Sequence, residues 1–158
     1  MPNPSTIAMQ DETKNALREF LNAHDWVVLT ATVEAHGAWD CPENVAANDS
    51  LRLILSKSRY VFIEGEGVYF NRETGKSEFQ GPSFIVHTPS WIDRGQLIDF
   101  AKTLHQESIL IPSGLLFMKS MRVEATTTEI VFGERALAED YYTTYEGDAF
   151  SSILRERK

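Results

Sequence analysis

Residues 79–91, FQGPSFIVHTPSW, constrain the fold more than any other stretch of the chain. In an extended chain Phe84 and Val86 face one way, and Ser83, Ile85 and His87 face the other. Apolar residues on both faces predict a buried strand. Thr88-Pro89 stops it, because proline cannot donate to a central ladder. Ser90 is a good helix N-cap, with Asp93 three residues on in the manner of a capping box. The helix it opens is predicted to run to about His105, with Ile92, Leu97, Ile98, Ala101 and Leu104 as its buried stripe.

The same signals divide the rest of the chain. WVVLTATVE, residues 26–34, is rich in β-branched residues and reads as a strand. A second helix is predicted near 42–57, capped by Asp40 or Cys41, with Pro42 in its first turn and Val45, Ala47, Leu51, Ile54 and Leu55 as its apolar set. RYVFIEGEGVYFNR reads as a strand pair or one long bent strand, with Gly65 and Gly67 allowing a bulge. ESILIP is a strand, Ser113-Gly114 a tight turn into LLFMK, and RVEATTTEIVFG one or two strands more. Leu17, Phe20 and Leu21 mark a short N-terminal helix, preceded by a loose arm over residues 1–8. Residues 136–158 are mixed, with three tyrosines and Phe150 placed to cover a sheet edge.

The order predicts an α+β fold. Its core, residues 26–118, would be β-α-β-β-α-β: an antiparallel-rich sheet with the two main helices on one face. An N-terminal helix and C-terminal strands would flank it. The length of 158 residues fits one domain. Fifteen basic against 23 acidic residues leave a net charge of −8, which argues against broad binding to nucleic acid or anionic membrane. One cysteine, Cys41, allows neither an internal disulfide nor a cysteine-based zinc site and fits a reducing cytosol. The first residues lack the pattern of a signal peptide, and no apolar run approaches the roughly 20 residues of a membrane span. The expected location is the cytoplasm.

The middle of the chain resembles the DUF3293 family of small bacterial and phage proteins. The likeness rests on VVLTA at 27–31, NVAANDSLRLIL at 44–55, EGEGVY, EFQGPSFIV and LIDFAKTLHQESILI, with Gln106 at the family's glutamine position. It covers about residues 26–118. One departure is TATVEAHG, where the family's first strand usually runs into a His-Asn-Pro or Asn-Pro turn. The resemblance implies a compact α+β domain and no assigned activity.

Standard catalytic motifs are missing: no phosphate loop, GxSxG, HExxH or dinucleotide fingerprint. No catalytic residue, metal ligand or cofactor is therefore assigned. Asn44, Asn48 and Arg52 are spaced by four on the second helix and share a face. Lining a groove with His87 and Gln106, they would hold an anion, with Arg52 supplying charge and the amides hydrogen bonds. The helix start at Ser90 and Trp91 would add backbone donors and a ring for stacking. The leading expectation is a non-catalytic binding protein for a small anionic or nucleotide-like ligand. A second is an acidic protein-interaction module, such as a phage-type inhibitor of a host or defence enzyme. A third is a metal-dependent hydrolase using Glu64, Glu66 or Glu78 with His87.

Overall fold

The computed structural model describes residues 17–22 and 25–156. The expected 1–8 arm lies outside the described residues. Residues 17–22 are helical (α1). The strands are β1 (Trp26–Leu29), β2 (Phe62–Asn71), β3 (Lys76–His87), β4 (Ser108–Ile111), β5 (Gly114–Phe117), β6 (Arg122–Phe132), β7 (Tyr141–Tyr145) and β8 (Asp148–Glu156). The remaining helices are α2 (Pro42–Lys57), α3 (Trp91–Thr103) and the single-turn α4 (Glu134–Leu137).

All eight strands join in one closed antiparallel barrel, in the order β1-β3-β2-β7-β8-β6-β5-β4 and back to β1. This corrects the expected α+β fold with an open sheet. The closure comes from the C-terminal tail. β7 pairs with β2, β8 pairs with β6, and the two pair with each other through a turn at Glu146 and Gly147, φ 43° and 83°. The tail does not cover a sheet edge; it fills the gap between two edges and abolishes both.

β1 and the last part of β3, Phe84–Val86, are apolar at every position because they are buried on both faces. Val27, Leu29, Phe84 and Val86 point outward, where Leu51 and Leu55 of α2 and Leu97 and Ala101 of α3 cover them. The alternate residues Trp26, Val28 and Ile85 point inward. Both long helices thus sheathe the outside of one barrel wall. In α2 the buried residues are Asn44, Asn48, Leu51 and Leu55, while Val45 and Ile54 are exposed. Cys41, not Asp40, is its N-cap, and Pro42 occupies the first turn. β2 is one long strand, with a register shift between Glu66 and Val68 where Gly67 sits.

One end of the barrel is closed. β1 and β8 stand four strands apart either way round the ring, so they face each other across it. Trp26 and Phe150 meet across that gap, edge to face at 6.2 Å. Leu17, Phe20 and Leu21 of α1 pack beneath them, and the Trp26 indole N–H donates to the Leu21 carbonyl at 2.9 Å. Arg18 ties α1 to the β7–β8 turn through Asp148 (3.2 Å). Full burial of a large apolar side chain in such a plug contributes about 1.5–3 kcal/mol. Among the described residues no helix is long and apolar enough to cross a membrane.

Candidate functional site: the barrel lumen

An eight-stranded barrel is just wide enough for its inward side chains to fill it, or for a small ligand if they are short. Both regimes occur here. At the plugged end Trp26 and Phe150 span the interior. Two residues further along each strand the inward positions are Val28 and Ser152, too short to meet. Further small residues line the other walls: Gly67, Ser83, Ser108 and Thr143. The bulged β2 brings Gly67 so close to β3 that an added Cβ would lie 2.9 Å from Ser83 Oγ. The result is a cavity of about 1060 Å³.

Aromatic rings surround its mouth. Trp39 packs edge-on against Phe79 at 4.4 Å, and Tyr69 stacks on Tyr141 at 4.7 Å. Gln80 and Glu78 complete the rim, and Leu110, Leu115 and Leu154 line the wall below. Among the described lining residues Glu78 is the one charged side chain, and none is basic. The Ser152 hydroxyl is shut off from water and has no hydrogen-bond partner among the described residues.

The loop between β1 and α2 carries Trp39 onto this mouth, and three of the expected site residues hold it there. Asn44 Oδ1 accepts from the Val33 N–H at 2.9 Å, while its Nδ2 donates to the carbonyls of Ala38 (2.9 Å) and Val33 (3.2 Å). Asn48 accepts from the Ala31 N–H (2.9 Å) and donates to Thr32 Oγ1 (3.0 Å). Gln106 Nε2 donates to the Thr32 carbonyl at 3.1 Å. These amides do converge, but on backbone: they replace the ladder bonds that β1 loses where it leaves the barrel.

The other four lie elsewhere. Arg52 is on the outer wall, donating to Glu64 (3.0 Å) and Asp49 (2.7 Å). The Glu64 hydrogen bond, ahead of Asp49, raises its pKa and holds it charged against those acids. His87 pairs with Trp26 in the ladder and lies edge-on to Phe20 at 6.1 Å, at the plugged end. Ser90 caps α3, accepting from the Asp93 N–H (3.2 Å) and donating to the Asp93 carboxylate (2.7 Å). That carboxylate also accepts from Tyr60 (3.1 Å) and Arg59, and the Ser90 hydrogen bond leads in holding its pKa below the usual aspartate value. Trp91 is 82% exposed beside this cap.

Of the acids considered as metal ligands, Glu64 is engaged by Arg52, and Glu78 accepts from Asn71 at the rim (3.4 Å). No cluster of three potential metal ligands occurs among the described residues. The lumen residues Trp39, Tyr69, Phe79, Tyr141, Thr143 and Ser152 were not singled out from the sequence. The signal that would have found the last three is an alternation around a hairpin turn: Tyr141-x-Thr143-x-Tyr145, Glu146-Gly147, then Phe150-x-Ser152-x-Leu154. Comparison with protein-family models, curated proteins and solved structures finds no match to this chain. The likeness to DUF3293 therefore rests on the quoted motifs alone.

Proposed function

We propose that this chain is a non-catalytic binding protein that holds one small, uncharged, largely apolar molecule inside its barrel. The observation that carries this is the hollow of about 1060 Å³ directly above a tightly filled floor. A wholly structural barrel gains stability by filling its interior to native density. Here many interior positions above Trp26 and Phe150 are glycine, serine, threonine or valine, with Leu110, Leu115 and Leu154 as the larger ones. Ligand sites are typically apolar hollows of this order with a few polar groups. The anionic or nucleotide-like ligand expected from the sequence gives way to a neutral one. A buried anion needs a cation or several donors, and the lumen's described lining offers no basic side chain.

Titration with the neutral fluorophore N-phenyl-1-naphthylamine tests this. Saturable one-site binding is expected for the wild type. Val28→Trp, which fills the hollow from β1, should abolish it while the far-ultraviolet circular dichroism and the cooperative melt are kept. Absence of saturable binding to the wild type, or equal binding by a folded Val28→Trp variant, overturns the proposal.

A further inference from the structure

We infer that the ligand carries a hydroxyl group on an otherwise apolar frame, as an alcohol or phenol does, and that this group seats in a notch of the lumen wall between Gly67 and Ser83. This rests on the lumen reading and adds the ligand's chemistry to it. The notch lies at the bulge, where Glu66 pairs with Pro82 and Val68 with Phe79, so that Gly67 faces both Gln80 and Gly81. Gly81, with φ 95°, supplies the irregular backbone there. Gly67 has no left-handed φ, so its conformation does not call for glycine. Crowding by backbone does not call for it either. A Cβ on Gly65 would lie 2.7 Å from the Thr144 carbonyl oxygen, but one on Gly67 would lie 2.9 Å from Ser83 Oγ and an ordinary 3.5 Å from the Gly81 carbonyl oxygen. Glycine inside a strand weakens it and often marks a place where a ligand comes close. Here the missing side chain leaves a space within hydrogen-bonding distance of Ser83 Oγ. The unpaired hydroxyls sealed from water among the described residues are those of Thr88, Thr127 and Ser152. That of Ser83, a half-buried residue of the lumen wall, is unpaired among the described residues and open. Of the hydroxyl residues nearby, Thr30 donates to the Pro82 carbonyl (2.9 Å), and Thr143 stands beside Gly67 on β7. A serine hydroxyl donates and accepts, and the Gly81 carbonyl accepts, so the notch suits a group that does both. Val28, Leu110 and Leu115 line the lumen with it, so the rest of the molecule is apolar.

The test compares 2-naphthol with naphthalene, which share one framework and differ by one hydroxyl, as competitors of bound N-phenyl-1-naphthylamine. Ser83→Ala should weaken 2-naphthol by about 3- to 10-fold, the span of one neutral hydrogen bond, and leave naphthalene as it was. Thr143→Val should weaken 2-naphthol less than Ser83→Ala does. Gly67→Ala keeps Ser83 but fills the notch, and it should fold and weaken 2-naphthol more than naphthalene. An equal change for both probes in Ser83→Ala, or none, overturns the role of Ser83 while leaving the lumen reading intact. So does a loss in Thr143→Val as large as in Ser83→Ala, or failure of 2-naphthol to displace the fluorophore from the wild type. A Gly67→Ala chain that does not fold, or that binds 2-naphthol unchanged, overturns the notch. Failure of the fluorophore itself to bind the wild type overturns the lumen reading and this inference together.

Discussion

Asn44 is fully buried, and replacing it with leucine removes its bonds while keeping the number and branching of its side-chain heavy atoms. Three good hydrogen bonds are lost: one accepted from Val33 N–H and two donated, to Ala38 and Val33 carbonyls. Each intramolecular bond contributes a net ~1 kcal/mol, and a buried group left unpaired costs about 1–3 kcal/mol. Ala38 is exposed, so its carbonyl regains water, and the main penalty falls on the peptide groups of Val33. The expected loss is about 2–4 kcal/mol. For a domain of this size that lowers the melting temperature by about 5–15 °C. Asn44→Asp should be no better, because it keeps the acceptor but turns a carboxylate toward the same carbonyl oxygens. Urea and thermal denaturation followed by circular dichroism would measure both variants, with the exposed neighbour Val45→Ala as the control. If Asn44→Leu stays within about 0.5 kcal/mol of the wild type, the range of ordinary surface changes, the amide clamp on the mouth loop is refuted.

Asp93→Asn should destabilise the protein at neutral pH, and the gap to the wild type should narrow as pH falls below about 4. The sign follows from a pKa held low in the folded state, led by the Ser90 hydrogen bond: the stabilisation is present above the unfolded pKa and is lost as the carboxylate protonates. Urea midpoints at a series of pH values check this, and a gap that widens in acid would contradict it. Gly114→Ala should abolish folding or destabilise by several kcal/mol, at the far end of single-substitution effects. Gly114 has φ 142°, and an added Cβ would lie 2.0 Å from the Ala125 carbonyl oxygen; soluble expression and a melt near that of the wild type would show that β5 can shift.

The walls of the barrel were legible where burial is two-sided. Residues 26–29 and 83–87 carry apolar side chains on both faces, and the strong punctuation of Pro89-Ser90 and Pro42 marks the helix starts at Trp91 and Pro42. What did not read through was what covers each face. An apolar inner face looks the same in sequence whether it meets a second layer of helices or the interior of a closed ring. The polar face of α2 misled in a related way. Asn44, Asn48 and Arg52 share the spacing of a surface stripe, but a stripe of polar residues is also what a helix needs to satisfy a strand end that has left its ladder. Only Arg52, at the edge of the stripe, behaves as a surface residue, paired with Glu64 and Asp49.

Closure and cavity share one cause. The strands that complete the ring, β7 and β8, are YYTTY and DAFSSILRE, and their inward positions mix rings and Leu154 with small hydroxyl residues. Strands with a strongly apolar inner face would have announced themselves in the sequence and would also have filled the barrel. Thr143 and Ser152 do neither: they weaken the alternation until the segment reads as a mixed tail, and they leave the space above Trp26 and Phe150 open. Phe150 and Tyr145 still anchor the pair to the floor with Ile85 and Trp26, so closure is secured at the plugged end and not along the whole strand. Inside the ring, side-chain packing is therefore concentrated below, where α1 and the aromatic floor pack. The upper half depends on backbone pairing, on the helices packed against its outer face and on the amides that fix the mouth loop, as a wall must when its inner face is reserved for something other than its own side chains.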